Sequence, residues 1–441
     1  MGAYLSYNFD SYLSYHFKRW GSHYDHGTDE VRGSLIGFAA QKLLCTTDIP
    51  PTLSRAQTYA VLSQRLALDI NSTTHLMPDS PLQMMQSLHD QVANHLRVCV
   101  AIGHSIETLY AVASSEPMLS EAASHVMQTA SFSMHEALGD VLSGFSISQG
   151  DRGELVVAAL FTCARDIAVQ AKPSVPIGQL CHYFSVLDLF RGLFSEKTCD
   201  NIMDYMPSLC HSETARVAFK TAFADTHMHF NHFIKPQEKI LSRGYLMLYL
   251  ARGAAALGAN CQPGFDAVYP FLYGGTDLVR KRVGFIIVQV KNRSNANRNA
   301  VFRGMDPFGC QIIDTTKDLE NQRFPIPIIR LFFSLAQKSS SVVGSVQYNL
   351  PADGVAKSSL DVDGYPTFTS YDIECYGISP ELFRPVESKT SDNWLSLINR
   401  SPWASLYDDN NVADVVRAQL PGSASHTAHW THWVEGLEDI I

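Results

Sequence analysis

Asp266, Gln289 and Lys291 are the residues whose types and spacing come nearest to a recognisable chemistry in this chain. Gln289 and Lys291 close the run GFIIVQVKN, residues 284–292, which otherwise reads as a buried strand. Successive side chains in a strand point to opposite faces, so Phe285, Ile287, Gln289 and Lys291 share one face while Ile286, Val288 and Val290 share the other. Burying an unpaired ammonium is costly, so Lys291 either reaches solvent at the strand end or faces negative charge. Asp266 stands just inside the preceding strand-like run, after Pro263, Gly264 and Phe265. If the two runs pair as neighbours, a carboxylate, an amide oxygen and an ammonium converge on one end of a sheet. That set suits metal-assisted phosphodiester hydrolysis. Carboxylate and carbonyl oxygens hold Mg²⁺ or Mn²⁺, the metal activates water and polarises the phosphate, and the lysine stabilises the charge that develops. The other reading of Gln289 and Lys291 is a strand-end pair, with the lysine snorkelling to water and the amide capping a backbone group.

Other elements must position these residues. From about residue 31 to 223 the pattern is helical, in segments such as VRGSLIGFAAQKLLC, SPLQMMQSLHDQVANHLRVCVAIG, ELVVAALFTCARDIAV and IGQLCHYFSVLDLFRGLF. Apolar residues there recur at three- and four-residue spacing, and turn signals such as DIPPT, PDSP and KPSVP separate the segments. This half carries no defensible catalytic motif. From Pro236, which suits a first helical turn, a long amphipathic helix is expected to run through ILSRGYLMLYLARGAAAL until Gly258 and Asn260 stop it. The runs GFDAVYPFLYGG, GFIIVQVKN and PIPIIRLFFSLAQ follow, and after the serine-rich KSSSVVGS comes the strand-like TSYDIECYGI. The expectation is an α/β or α+β fold: an α-helical region over 1–230, a mixed sheet flanked by helices over 231–390, and a tail over 391–441 packing on the body.

With Pro-Gly-Phe-Asp ending at Asp266 and Gln289-Val-Lys291 on the next strand, the chain resembles the PD-(D/E)XK nuclease superfamily, in its Gln-x-Lys variant. The stretch from RGAAALGANCQPGFDAVYPFLYGG to VGFIIVQVKN also resembles the C-terminal segment of uncharacterised fungal proteins, some of them Crinkler-like. The resemblance covers residues 231 to 390. It implies a core of helix, three strands, helix and strand, and a metal-dependent nuclease acting on DNA or RNA. It also implies Asp266, Gln289 and Lys291 as catalytic residues, with Asp266 and Gln289 as metal ligands. In the family an acid on the preceding helix often completes the site, and Glu238 is the candidate; an acid in a first helical turn also complements the macrodipole. Asp277 is a lesser supplement. Gln289 is a weaker ligand than a carboxylate, which keeps open a catalytically inactive module that binds nucleic acid or protein. An effector or toxin is a further biological role open to such a nuclease.

Between Leu278 and Met305 stand Arg280, Lys281, Arg282, Lys291, Arg293, Arg298 and Arg303, with no Asp or Glu. In a chain of net charge -9 that local excess points to backbone phosphates, Arg280, Lys281, Arg282, Arg293, Arg298 and Arg303 being the candidate contacts. A solvated basic loop is the alternative. The helical region would position the substrate or hold a protein partner.

The histidines of Asp225-Thr-His227-Met-His229-Phe-Asn-His232 resemble the HxH of metal-dependent amidohydrolases, but the βα repetition of such a barrel is absent, and a structural role is expected. His426, His429 and His432 are read as part of an aromatic segment docking on the body, and His23 and His26 as a polar loop. No Walker A, Rossmann or GxSxG pattern is present, which leaves nucleotide hydrolysis, dinucleotide chemistry and serine hydrolysis without support.

The 441 residues allow two or three domains, and 46% hydrophobic with 17% charged residues leaves little room for extended disorder. No apolar run nears the roughly 20 residues of a membrane span. The first residues lack the pattern of a secretory signal, although Gly2 and Ser6 fit a myristoylation spacing. Nine cysteines without a CxxC pair read as reduced thiols of an intracellular protein, cytoplasmic or nuclear, with Cys45, Cys99 and Cys163 expected in the core.

Overall fold

The computed structural model describes residues 28–399 apart from 69, 72–88, 103–108, 114–116, 145–148, 171–182, 237–240, 259–261, 293–296, 321–322, 338–340, 344–354 and 362–363. Its central element is the run IIRLFFS, whose every position is buried. Strands covered on both faces read as continuous β-branched and aromatic runs, not as alternation. This strand and its neighbours form a mixed sheet, so the chain has a mixed α/β fold with helices packed on the sheet.

The sheet is assembled from β4 (Thr226–Met228), β5 (His232–Ile234), β6 (Ala254–Leu257), β7 (Ala267–Tyr273), β8 (Val283–Lys291), β9 (Ile328–Ser334), β10 (Ser341–Val343) and β11 (Ser370–Tyr376). The order is β10-β11-β9-β8-β7-β6-β5, with β4 paired to β7 off this path. From β6 to β8 the pairing is antiparallel, whereas β8, β9 and β11 run parallel. Between β8 and β9 the chain crosses over through a short helix, Arg298–Gly304, as a parallel pair requires.

The helix expected from Pro236 is shorter than its sequence implies. It begins at Arg243 behind Ser242 and ends at Ala251; residues 237–240 lie outside the described residues. Gly253, at φ +63, turns the chain out of the helix, and Ala254–Leu257 becomes β6 instead of a last helical turn. A Cβ at Gly253 would stand 2.4 Å from the His229 ring, so backbone and imidazole need this glycine twice over. Three alanines favour a helix by propensity; full burial between β5 and β7 overrides that here.

The first half is largely helical, as expected, through α1 (Thr28–Leu44), α2 (Arg55–Leu66), α3 (Pro117–Thr129), α4 (Met134–Gly144) and α5 (Gln149–Gln170). It is not all-α. Strands β2 (Arg97–Ile102) and β3 (Leu109–Ala113) pair antiparallel, with β1 (Ile70–Asn71) added to β3 on the outer edge. The helical reading of HDQVANHLRVCVAIG fails at Leu96, whose φ of +57 ends the helical residues 89–94 and starts the strand. Beyond it Val98, Val100 and Ile102 supply the β-branched alternation of a strand. Cys45 and Cys99 are exposed, which corrects their assignment to the core, whereas Cys163 is partly buried and packs against the main apolar cluster. Cys45 also has a positive φ of 53, just beyond the end of α1.

Helix α5 covers the sheet face that carries Val288 and Val290. Phe161 on α5 stacks on Tyr269 at 4.2 Å and meets Phe333 edge-on at 6.1 Å. The last described helix, Ser391–Asn399, docks on α4 and α5 and buries Trp394. One cluster of buried residues extends from Tyr59 to Ile398, joining the helical region to the sheet.

Candidate active site

Asp266 is placed by a tight turn. Gly264 has φ +92, and a Cβ there would lie 2.4 Å from the Gly304 carbonyl oxygen at the end of the crossover helix. Only glycine permits that conformation and that approach together. The Asp266 backbone N–H donates to the Val288 carbonyl at 2.8 Å, and its carbonyl accepts from the Gly258 N–H at 2.7 Å. Since Ala267 pairs with Val288, Asp266 falls opposite Gln289, where side chains on one face of an antiparallel pair meet.

They do meet. Gln289 Nε2 donates to Asp266 Oδ2, and the same oxygen accepts from the Val290 N–H at 2.5 Å. Gln289 is only 5% exposed. Lys291, last residue of β8, is partly exposed and lies beside Ser334 in the parallel register with β9. The strands carrying the aspartate and the Gln-x-Lys pair are therefore neighbours, and the three residues occupy one end of the sheet.

The other sequence candidates divide. Glu238 and Arg293 lie outside the described residues, as do Gly2, Ser6, His23, His26, His426, His429 and His432. Arg280, Lys281 and Arg282 stand at the start of β8, and Lys291 at its end. Nine residues of strand separate them by roughly 26 Å. The basic triplet and the site do not form one surface, which corrects their grouping by proximity in sequence. Arg280 is also committed to Asp318, with both contacts at 2.9 Å, and Arg282 to Asp277 at 3.0 Å. Asp277 accordingly belongs to that far hairpin and not to the site. Arg298 and Arg303 both sit on the crossover helix, Arg298 at its first turn and Arg303 near its end.

The sheet face that carries Gln289 and Lys291 continues over β9 and β11 with polar residues the sequence reading passed over. Registers align Ile287, Arg330 and Asp372 in one row, Gln289, Phe332 and Glu374 in the next, and Lys291, Ser334 and Tyr376 in the last. Arg330 and Asp372 are fully buried and paired through contacts of 2.7 and 2.6 Å. Glu374 is also fully buried, and Tyr376 donates its hydroxyl to Oε2. Burial pushes the Glu374 carboxyl above the usual carboxylate range, against the opposing pull of the Tyr376 hydroxyl and of Arg298. Acids at alternate positions of SYDIECY were the available signal, because charges within an apolar strand need a reason to be there.

The histidines of residues 227–232 lie on β4, β5 and the link between them. His229 packs on Gly253, and His232 is buried with Nδ1 2.5 Å from Asn231 Oδ1. Burial first, then neighbouring Arg252, holds His232 down to about 3, so it is neutral at ordinary pH. His227 is partly exposed beside Asp225 at 3.2 Å.

Among the described residues no group of three or more His, Cys, Asp or Glu side chains is placed to hold a metal ion. The donor set at the sheet end is one carboxylate and one amide carbonyl. Such a set fits Mg²⁺ of the kind that keeps several waters and takes phosphate oxygens as further ligands. A cavity of about 680 Å³ elsewhere is lined by Phe132, His135, Asp166, Lys389 and Trp394 among others, but by none of Asp266, Gln289 and Lys291. No protein-family model, curated protein or solved structure matches the chain. Among the described residues no helix is long and apolar enough to cross a membrane.

Proposed function

We propose that the chain is a metal-dependent nuclease that hydrolyses phosphodiester bonds of DNA or RNA where β7 begins and β8 ends. The observation that carries this reading is the Asp266–Gln289 hydrogen bond across paired strands, with Lys291 two residues further on the same face. The succession helix, β6, β7, β8, helix, β9 supports it, being the order the PD-(D/E)XK resemblance implies. Bound Mg²⁺ or Mn²⁺ would supply Lewis-acid activation of water and phosphate. Asp266 and the Gln289 carbonyl would hold it, Glu238 being the proposed third ligand. Lys291, partly exposed at the strand end, would donate to a phosphate oxygen as charge develops there. The helical region would position the substrate or bind a protein partner.

A second reading is an inactive module that binds nucleic acid or protein. It is favoured by the commitment of Asp266 Oδ2 to the Val290 N–H, a strand-end amide that β7 does not reach. An aspartate in that place has a structural reason to exist.

The test is cleavage of single- and double-stranded DNA and RNA by purified protein with Mg²⁺, Mn²⁺ or EDTA. Asp266→Ala and Lys291→Ala are compared after their folding is checked by circular dichroism. Metal-dependent cutting should fall by about 10²-fold or more in Lys291→Ala, the size expected for a charge-stabilising donor. Folded parent protein that cuts no substrate, or a Lys291→Ala variant as active as the parent, would remove the catalytic assignment.

A further inference from the structure

Resting on the nucleic-acid reading of the site, a second cationic position stands out on the same sheet face. Glu374 has one carboxylate oxygen bonded by Tyr376 and the other, Oε1, buried without a hydrogen-bond partner. A buried carboxylate left half satisfied is costly, and such a group calls for a specific cause. Arg298 Nη1 stands 3.8 Å from Oε1, while the arginine side chain is 49% exposed and the glutamate 1%. That separation is an ion pair but too long for a hydrogen bond. The guanidinium is therefore held by charge over the sheet end without spending its N–H groups on Glu374.

Neighbouring strands lie ~4.8 Å apart, so β11 is roughly 10 Å from β8 along the row Gln289, Phe332, Glu374. Two cations that far apart cannot grip one phosphate group, and a strand lying across β8, β9 and β11 would present a different backbone phosphate to each. We propose that Arg298 binds a second backbone phosphate of the strand held at Lys291, and that Glu374 is its positioning residue. The substrate class is then a polynucleotide; a mononucleotide or small phosphodiester reaches only Lys291. Glu374 is too deeply buried for an incoming phosphate to displace, so it orients Arg298 instead of competing for it. Arginine suits the task because its planar fork meets phosphate oxygens two at a time.

The experiment is fluorescence anisotropy of labelled 12-nucleotide single-stranded DNA and RNA, in EDTA so that cleavage plays no part. The proteins are the parent, Arg298→Ala, Glu374→Gln, the double variant, and Lys317→Ala as a control, an exposed lysine paired with Asp314 outside the proposed site. Arg298→Ala should weaken binding about fivefold and lower the salt slope by about 0.7, the signature of a lost phosphate contact on a single strand. Lys317→Ala should do neither. Glu374→Gln should weaken binding about threefold in the parent and have no further effect once Arg298 is gone. Arg298→Ala indistinguishable from Lys317→Ala overturns the proposal. Tighter binding by Glu374→Gln, or an equal effect without Arg298, overturns the positioning role. Because Arg298 is half-exposed, its truncation decides the binding claim even if Glu374→Gln fails to fold. Folded parent that binds neither oligonucleotide overturns this proposal and the nucleic-acid reading together; Arg298-dependent binding without metal-dependent cutting removes catalysis alone.

Discussion

A carboxylate at the end of a strand can satisfy a backbone amide, ligate a cation or hold an arginine, and the two acids at this sheet end differ in which they do. Asp266 accepts from the Val290 N–H and from Gln289, so its charge is solvated by the protein itself. Glu374 receives one hydroxyl and leaves an oxygen without a hydrogen bond, which makes it a liability to the fold. Its carboxyl is raised above the ordinary value of 4.5, burial being the largest cause. A raised folded-state value means that the stability linked to this group is fully present below 4.5 and is lost as pH rises through the folded value. Glu374→Gln cannot ionise and escapes that loss. Thermal melts should therefore show the variant gaining on the parent between about pH 4 and about pH 8. A difference in melting temperature that stays constant over this range, or shrinks, would mean that Glu374 carries no such penalty.

At the scale of elements, the helical region is tied to the sheet by a buried charge network as well as by the shared apolar core. Arg165 on α5 donates to Glu121 on α3 at 2.9 Å and to the Phe230 carbonyl at 3.1 Å. Arg65 on α2 pairs with Asp166 at 2.6 and 2.9 Å and donates to the Asn231 carbonyl at 3.0 Å. Burial pulls Asp166 upward, yet Arg65 and Arg165 outweigh it and hold that carboxyl below its ordinary range. Removing one partner strands the others, so Arg165→Ala should cost about 3–5 kcal/mol in denaturant unfolding; a loss under about 1 kcal/mol would show the network to be dispensable. Nothing in the sequence announces this network, because its members come from three helices and the link between β4 and β5, far apart in the chain. By contrast β7, β8, β9 and β11 were legible, since apolar runs of strand length bounded by turns have few other readings. β6 was hidden in three alanines with the propensity of a helix, and its strand state comes from the neighbours it packs between. The Asp266–Gln289–Lys291 group was legible because adjacent antiparallel strands bring near-sequence residues together. Glu374 was not, since only the parallel register through β9 sets it beside Gln289. The RKR triplet misled for a related reason: charge clustering along a chain does not say which end of a strand it occupies.

For the whole molecule, a net charge of -9 opposes any polyanion, so binding must come from cations that carboxylates do not already neutralise. Arg65, Arg165, Arg243, Arg280, Arg282 and Arg330 are each paired with an aspartate or glutamate. Among the described residues, the cations this reading uses at the sheet end are Lys291 and Arg298, the latter only loosely held by Glu374. A single strand loses about 0.7 in log–log salt slope per phosphate neutralised, so two contacts give a slope of about −1.4. Titrations of a 12-nucleotide strand between about 50 and 200 mM salt should find that shallow dependence. A slope steeper than about −4 would require several more phosphate contacts than this sheet end supplies. Binding would then spread over a basic surface elsewhere on the chain, and the C-terminal ends of β8, β9 and β11 would lose their claim to be the place where a strand is held.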